Sequence, residues 1–474
     1  MHARSLTAAL ALLSALSGAV AVVPTLRTPE GVARDSEPTT PVFSARRAAP
    51  ALAVTVAEAR LSAGLEDALG QPVLTGARPR SCLVVSGPGG DLLYSEGTDS
   101  ALIPASAMKL LTASAVLSRI GADEVYVTPA RAAAVSSDGT VGDLWLVGSG
   151  DPLLATADFA AIAGWLETPR PATSLEALAD RVFNAGVRRV ARVLGDESRY
   201  DSQRYVATWE PHYATNPEVG PQSALNLNGG FVQWRPRAVP APAPAAHAAA
   251  VLADLLRARG ITVGATGEGR APAGLPAVAQ IESPPISEAV AVMLRDSDNL
   301  VAELLVKELG ARFGGGGTTA AGTEVVRRTA ADLGLRVDSL RNADGSGLDR
   351  GNRMTCGLLM DLLALHGPCG PLADGLPVAG STGTLTRRFV GTAAAGRVRA
   401  KTGSLRGVVA LSGYATGTGG QTITFSLVAN NLPFDGAGTA LQGQVADVLT
   451  AFPDAPPVES IGPQPPRALA PASP

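Results

Sequence analysis

Apolar positions along this 474-residue chain fall into two rhythms, and their placement outlines a fold before any single residue is weighed. Residues 51–69 and 436–452 repeat apolar side chains every three to four positions, the spacing of one helix face. Residues 82–94 form two apolar runs around the turn Gly87-Pro88-Gly89-Gly90, and residues 398–415 and 422–431 read as three further antiparallel strands. Strands at both ends with helices between them predict an α+β domain that pairs its beginning with its end, an antiparallel sheet flanked by helices. That domain is discontinuous, from residues 51–123 and 286–452. Between its halves, residues 143–148 and 188–195 carry strand signals, 236–244 is a Pro/Ala run and 245–259 has helical spacing. Residues 124–285 are therefore expected to form one or more inserted β-rich domains, nested or in series.

The two ends break the pattern. Residues 1–24 begin with His2 and Arg4, continue as an apolar run and contain Ala19-Val20-Ala21, which predicts an export signal, cleaved or kept as an N-terminal anchor. Residues 25–50 read as a disordered linker and 453–474 as a Pro-rich disordered tail. A formal charge of −3 with scattered arginines gives no footprint for nucleic acid. His2, His212, His247 and His366 stand apart from one another and from any cysteine pair, so no metal site and no cofactor are expected. Of three cysteines, Cys356 and Cys369 are near enough in sequence to pair, leaving Cys82 as a thiol in an apolar strand; spacing alone does not decide this.

Lysine usage changes the picture most. Only Lys109, Lys307 and Lys401 occur among 39 basic residues, and two of them fall in Ser106-Ala107-Met108-Lys109 and Lys401-Thr402-Gly403. Unlike arginine, a desolvated lysine can give up its proton and act as a base. Pro104 and the run after Ser106 predict a helix that Ser106 starts, with Lys109 on the same face one turn on. Ser106 is then the candidate nucleophile and Lys109 its base. Ser297-Asp298-Asn299 precedes the helical pattern of residues 300–309; Ser297 is suited to relaying a proton and Asn299 to bonding a substrate amide, although the tripeptide is equally a helix N-cap. Lys401, Thr402, Gly403 and Ser404 lie in a strand pattern able to take an extended peptide edge-on. There Lys401 adds positive charge near the nucleophile, Thr402 binds a carboxylate, and the N–H groups of Ser404 and Ser106 form an oxyanion hole.

In this order the three motifs make the set used by penicillin-recognising serine enzymes. With Gly148-Ser149-Gly150-Asp151-Pro152, Asp344-Gly345-Ser346-Gly347-Leu348, Arg350, Asn352, Arg353, Gly383-Thr384-Leu385 and Arg388, the chain resembles the D-alanyl-D-alanine carboxypeptidase/endopeptidases of the peptidase S13 family, the type 4 low-molecular-mass, class C penicillin-binding proteins. The resemblance implies a transpeptidase-like (β-lactamase-like) domain with large insertions. It also implies action on peptidoglycan stem peptides through a Ser106 acyl-enzyme, and β-lactams as covalent inhibitors. Asp196, ending Val193-Leu194-Gly195-Asp196, resembles an aspartate that receives the free amine of the stem-peptide diamino acid; the alternative is an Asp capping a turn. Two other readings use the same residues: a serine β-lactamase, and a catalytically inactive wall-binding protein. No Glu-x-x-x-Asn segment lies between Asn299 and Lys401, which speaks against the first, and the intact motifs speak against the second. The sequence leaves open the carboxypeptidase/endopeptidase balance, oligomeric state and partners.

Overall fold

The structure, a computed structural model, describes residues 45–162, 170–215 and 218–461, of which Pro50–Ile461 form one compact unit. The expected export segment, most of the linker and most of the tail lie outside the described residues. The chain opens with helix α1 (Ala45–Leu69), strands β1 (Ser81–Ser86) and β2 (Leu92–Glu96), and helix α2 (Met108–Arg119). A middle stretch follows, with β3 (Val127–Arg131), β4 (Thr140–Val147), α3 (Leu175–Asn184), β5 (Arg189–Asp196), α4 (Pro244–Ala258), β6 (Thr262–Glu268) and β7 (Ala277–Glu282). The chain then runs through α5 (Ile286–Arg295), α6 (Asn299–Phe313), α7 (Thr319–Asp332) and α8 (Cys356–His366). It closes with β8 (Val398–Leu405), β9 (Val408–Thr416), β10 (Thr422–Asn430) and α9 (Asp435–Ala451).

Beginning and end meet in one antiparallel sheet of order β8-β9-β10-β1-β2, with Cys82 opposite Val428 and Leu83 opposite Leu427. Strand side chains alternate between faces, and both faces of this sheet are covered. Leu83, Val85, Phe425, Leu427, Val409 and Leu411 pack against α1 and α9. Cys82, Val84, Val428, Ala410 and Tyr414 pack on the opposite side against α2, α5, α6 and α8. Leu61, Leu65, Leu441, Val445 and Leu449 are each under 4% exposed, and burying such a side chain stabilises by about 1.5–3 kcal/mol. The site is therefore held by a three-layer core.

The middle stretch builds a second sheet, β6-β5-β4-β3-β7, parallel from β6 to β4 and antiparallel from β4 to β7. Its own core takes Leu175, Leu178 and Val182 of α3 and Leu252 and Leu256 of α4. Lys307 of α6, fully buried, anchors the chain beyond β5 by donating to Asp201 Oδ1 (2.5 Å) and the Gln203 carbonyl (2.8 Å). Glu308 beside it accepts both ends of the Arg199 guanidinium (2.9 and 2.7 Å).

The cysteines pair differently from the sequence expectation. Cys82 of β1 is joined to Cys356 at the first position of α8, and Cys369 is free and exposed. Cys356 opens an 11-residue helix and Cys369 follows its far end, so a helix about 16 Å long at its ordinary rise holds them far outside disulfide reach. The bridge closes a loop of 274 residues between sheet and helix layer. Replacing both Cys82 and Cys356 by alanine is expected to lower the unfolding free energy by about 2–5 kcal/mol in urea titrations. Cys369→Ser is expected to change it by less than about 0.5 kcal/mol; equal stability of all three proteins would remove the bridge from the account.

Candidate active site

Ser106 sits not in the first turn of α2 but in the 3-10 turn Ala105–Ala107 just before it. Ala105 has φ +47°, a left-handed conformation that disfavours any residue with a Cβ. Two glycines hold it there. A Cβ on Gly347 would lie 1.9 Å from the Ala105 carbonyl oxygen, and one on Gly403 would lie 2.8 Å from that of Pro104. The turn carrying the nucleophile is thus clamped between the loop after α7 and the edge strand β8. Only the bare backbone of glycine permits that approach.

Lys109, one helical turn on, is completely buried. Its Nζ lies 3.1 Å from Ser106 Oγ, 2.8 Å from Asn299 Oδ1 and 2.6 Å from the Ser346 carbonyl oxygen. Burial pulls its pKa from 10.5 down to about 8, against the pull of Asp344, Glu303 and Asp298 in the other direction. The two carbonyl oxygens can only accept, so in the neutral amine both remaining N–H groups point at them. The lone pair is then left for the one neighbour that can donate, the Ser106 hydroxyl. The acceptors are themselves fixed: Asn299 Nδ2 donates to the Glu218 carbonyl (2.8 Å), and Glu303, buried one turn along α6, accepts from Gly345 N (3.1 Å) and Ser346 N (2.8 Å). Burial and the nearby Asp344 hold the Glu303 carboxyl well above the usual carboxylate range. Asp344 in turn accepts from Gly347 N, Asp349 N, Trp209 Nε1 and Asn352 Nδ2, all at 2.7–2.8 Å.

Ser297-Asp298-Asn299 divides between the start of α6 and the cleft wall. Asp298 is the N-cap of α6, accepting from Val301 N (2.9 Å) and pairing with Arg170 (2.8 Å), while Ser297 and Asn299 line the cleft beside Ser106. Ser297 is a second left-handed non-glycine residue, at φ +59°.

Strand β8 is a sheet edge. Ala400 donates outward to the Pro377 carbonyl (3.1 Å), so by the alternation of an antiparallel ladder Thr402 and Ser404 turn their N–H groups the same way. Thr402 and Ser404 line the cleft, whereas Lys401 and Gly403 are buried on the α2 side. Lys401 Nζ donates to the Thr402 carbonyl (2.8 Å); burial and then the charge of Lys109 push its pKa well below the lysine range, against Asp296. In the free protein the Lys401 charge therefore has little to offset its desolvation.

The cleft encloses about 810 Å³, with Glu210, Glu218 and Asp296 among its acidic residues and Arg350, Arg388 and Arg406 among its basic ones. Asp196 is not among them. Its oxygens accept from Ser198 N (2.8 Å) and Ala271 N (2.9 Å) at the end of β5. Sequence reasoning also passed over Glu303 and the Ser346 carbonyl. Glu303 and Lys307 carried a signal: two charges spaced by one turn inside the apolar run of α6.

A serine backed by a buried lysine, opposite the edge strand of a helix-covered antiparallel sheet, defines the serine acyl-transfer enzymes with the β-lactamase-like fold. Residues 61–242 and 235–451 match the model of the D-Ala-D-Ala carboxypeptidase 3 (S13) family, and the chain belongs to that family. It is 34% identical to the D-alanyl-D-alanine carboxypeptidase of Actinomadura sp. (strain R39), covering 85% of this chain and 87% of that one. It is 31% identical to carboxypeptidase DacB of Mycolicibacterium smegmatis, over 72% of this chain and 74% of the other. The crystal structure of penicillin binding protein 4 (dacB) from Haemophilus influenzae shares the fold, with TM-score 0.69 at 19% identity, 81% of this chain and 99% of that one being covered.

Gly403→Ala tests the clamp on the nucleophile. The added methyl must push β8 off the Ser106 turn, and acylation of the folded protein by benzylpenicillin is expected to slow by on the order of a hundredfold, with stability lowered by about 1–3 kcal/mol. An unchanged acylation rate would show that the close approach of β8 is not needed.

Proposed function

We infer that this protein is a serine-type D-Ala-D-Ala carboxypeptidase acting on peptidoglycan stem peptides and acylated by β-lactams. The observation that carries the reading is the Lys109 amine, buried among acceptors with the Ser106 hydroxyl as its one possible donor. Ser106 Oγ attacks the carbonyl carbon of the penultimate D-Ala as its proton passes to Lys109 Nζ. The N–H groups of Ser106 and Ser404 receive the oxyanion, and Ser297 relays the proton to the departing amine of the terminal D-Ala. Asn299 holds the substrate amide, Thr402 bonds its carboxylate, and that carboxylate supplies the countercharge Lys401 lacks in the free site. Water then hydrolyses the Ser106 ester, so that one peptide and one water give the shortened peptide and D-Ala.

Cleavage of a D-Ala to diamino-acid crosslink uses the same groups, and a cleft of about 810 Å³ with charges of both signs has room for the second strand's side chain. We also place the protein outside the cytoplasm, at the wall or the outer face of the membrane. The apolar run of residues 1–24 suits export, and the Cys82–Cys356 bridge suits an oxidising compartment.

The test is intact-mass spectrometry over time after adding benzylpenicillin to the protein and to Ser106→Ala. A lasting adduct on the parent and none on the variant is expected. An adduct that disappears within seconds while penicillin is consumed would favour a β-lactamase, and no adduct with penicillin intact would favour a wall-binding protein without activity.

A further inference from the structure

Arg388 is the one arginine of the cleft that is part-buried, Arg350 and Arg406 being exposed. A part-buried guanidinium loses hydration and ordinarily regains it from a carboxylate. Arg388 has none among the described residues: Nη2 donates to the neutral Gln442 Oε1 (2.5 Å), and the group lies 5.3 Å from the Phe389 ring centroid. Burial accordingly disfavours its charge. With five donors in a fixed fork, it keeps donors to spare.

The turn that carries Arg388 is built to stay in place. Gly383 (φ +55°) sits so close to the end of α5 that a Cβ there would lie 2.1 Å from the Arg295 carbonyl oxygen. Thr384, the next residue, also lines the cleft and accepts the Thr402 hydroxyl (2.8 Å). The Thr384 oxygen accepts from Thr402, and its own proton has no acceptor among the described residues. A guanidinium without an anion and a hydroxyl with a free donor thus share the cleft wall, beside the strand residue next to Lys401.

We propose that Arg388 and Thr384 together hold the carboxylate of the leaving D-residue, so that this turn selects substrates with a free acid next to the scissile bond. This rests on the carboxypeptidase reading above. Thr402 acts between the two: it hands its proton to Thr384 in the free protein and can turn it to the carboxylate once that group arrives. The fork fixes two oxygens in a plane, which a point charge does not do.

The test compares two acyl-D-Ala-D-Ala peptides, one with a free C-terminal acid and one with a C-terminal amide. Ser106 acylation and product release are followed for the parent, Arg388→Ala, Arg388→Lys and Thr384→Val, with melting temperatures alongside. The parent's preference for the acid, as a ratio of kcat/KM values, is expected to fall roughly ten- to a hundredfold in Arg388→Ala and roughly three- to tenfold in Thr384→Val. Arg388→Lys is expected to recover part of it. Loss of rate on both peptides by the same factor in Arg388→Ala and Thr384→Val would overturn the proposal, since support of Gln442 alone makes no distinction between acid and amide. If the parent itself forms no acyl-enzyme with either peptide, the carboxypeptidase reading falls and this one with it. Acylated variants with an unchanged ratio overturn this one alone.

Discussion

The structure depends on an amine kept out of water. An exposed lysine is protonated and useless as a base at neutral pH; complete burial brings Lys109 down to about 8, so that roughly one molecule in ten holds it neutral at pH 7. Burial alone would leave three N–H groups without partners. The Ser346 and Asn299 oxygens at 2.6 and 2.8 Å satisfy two, and the geometry reserves the third direction for Ser106. Much of the surrounding structure serves that arrangement: Glu303 fixes the Ser346 carbonyl, Asp344 ties its loop, and Gly347 lets the loop reach the Ala105 backbone.

Helix α6 is the spine that joins these parts. Within three turns it presents Asp298 as its own cap, Asn299 to the amine, Glu303 to the loop after α7, and Lys307 and Glu308 to the middle stretch. The middle stretch returns the support through Trp209, whose indole N–H reaches Asp344. Sheet, helix layer and middle stretch therefore converge on one lysine. Two of the left-handed non-glycine residues, Ala105 beside the nucleophile and Ser297 in the cleft wall, lie at the site, where the packing around them bears the strain.

The main sheet was legible in the sequence because its strands alternate and are bounded by Gly-rich turns; the pairing of β1 with β10 follows from having strands at both ends. The Ser106–Lys109 contact was legible because helical spacing alone brings the two side chains together. The start of α2 was misplaced since a left-handed alanine leaves no trace in composition. Long-range partners were the least visible: that Cys82 meets Cys356 depends on how α8 packs on β1, and that Asp196 binds backbone depends on Ala271, 75 residues away. The Ser346 carbonyl is invisible to any motif, since every residue has one.

The account stands or falls on the protonation of Lys109, and a chain with three lysines allows that to be read directly. Protein carrying lysine labelled with carbon-13 at the ε position should give three resolvable signals, that of Lys109 being the one absent from Lys109→Met. Followed by NMR from pH 6 to 11, this signal is predicted to titrate near 8. A Lys109 signal that stays ammonium until pH 10 or above would contradict the account, because the amine could then not accept the Ser106 proton in the working protein.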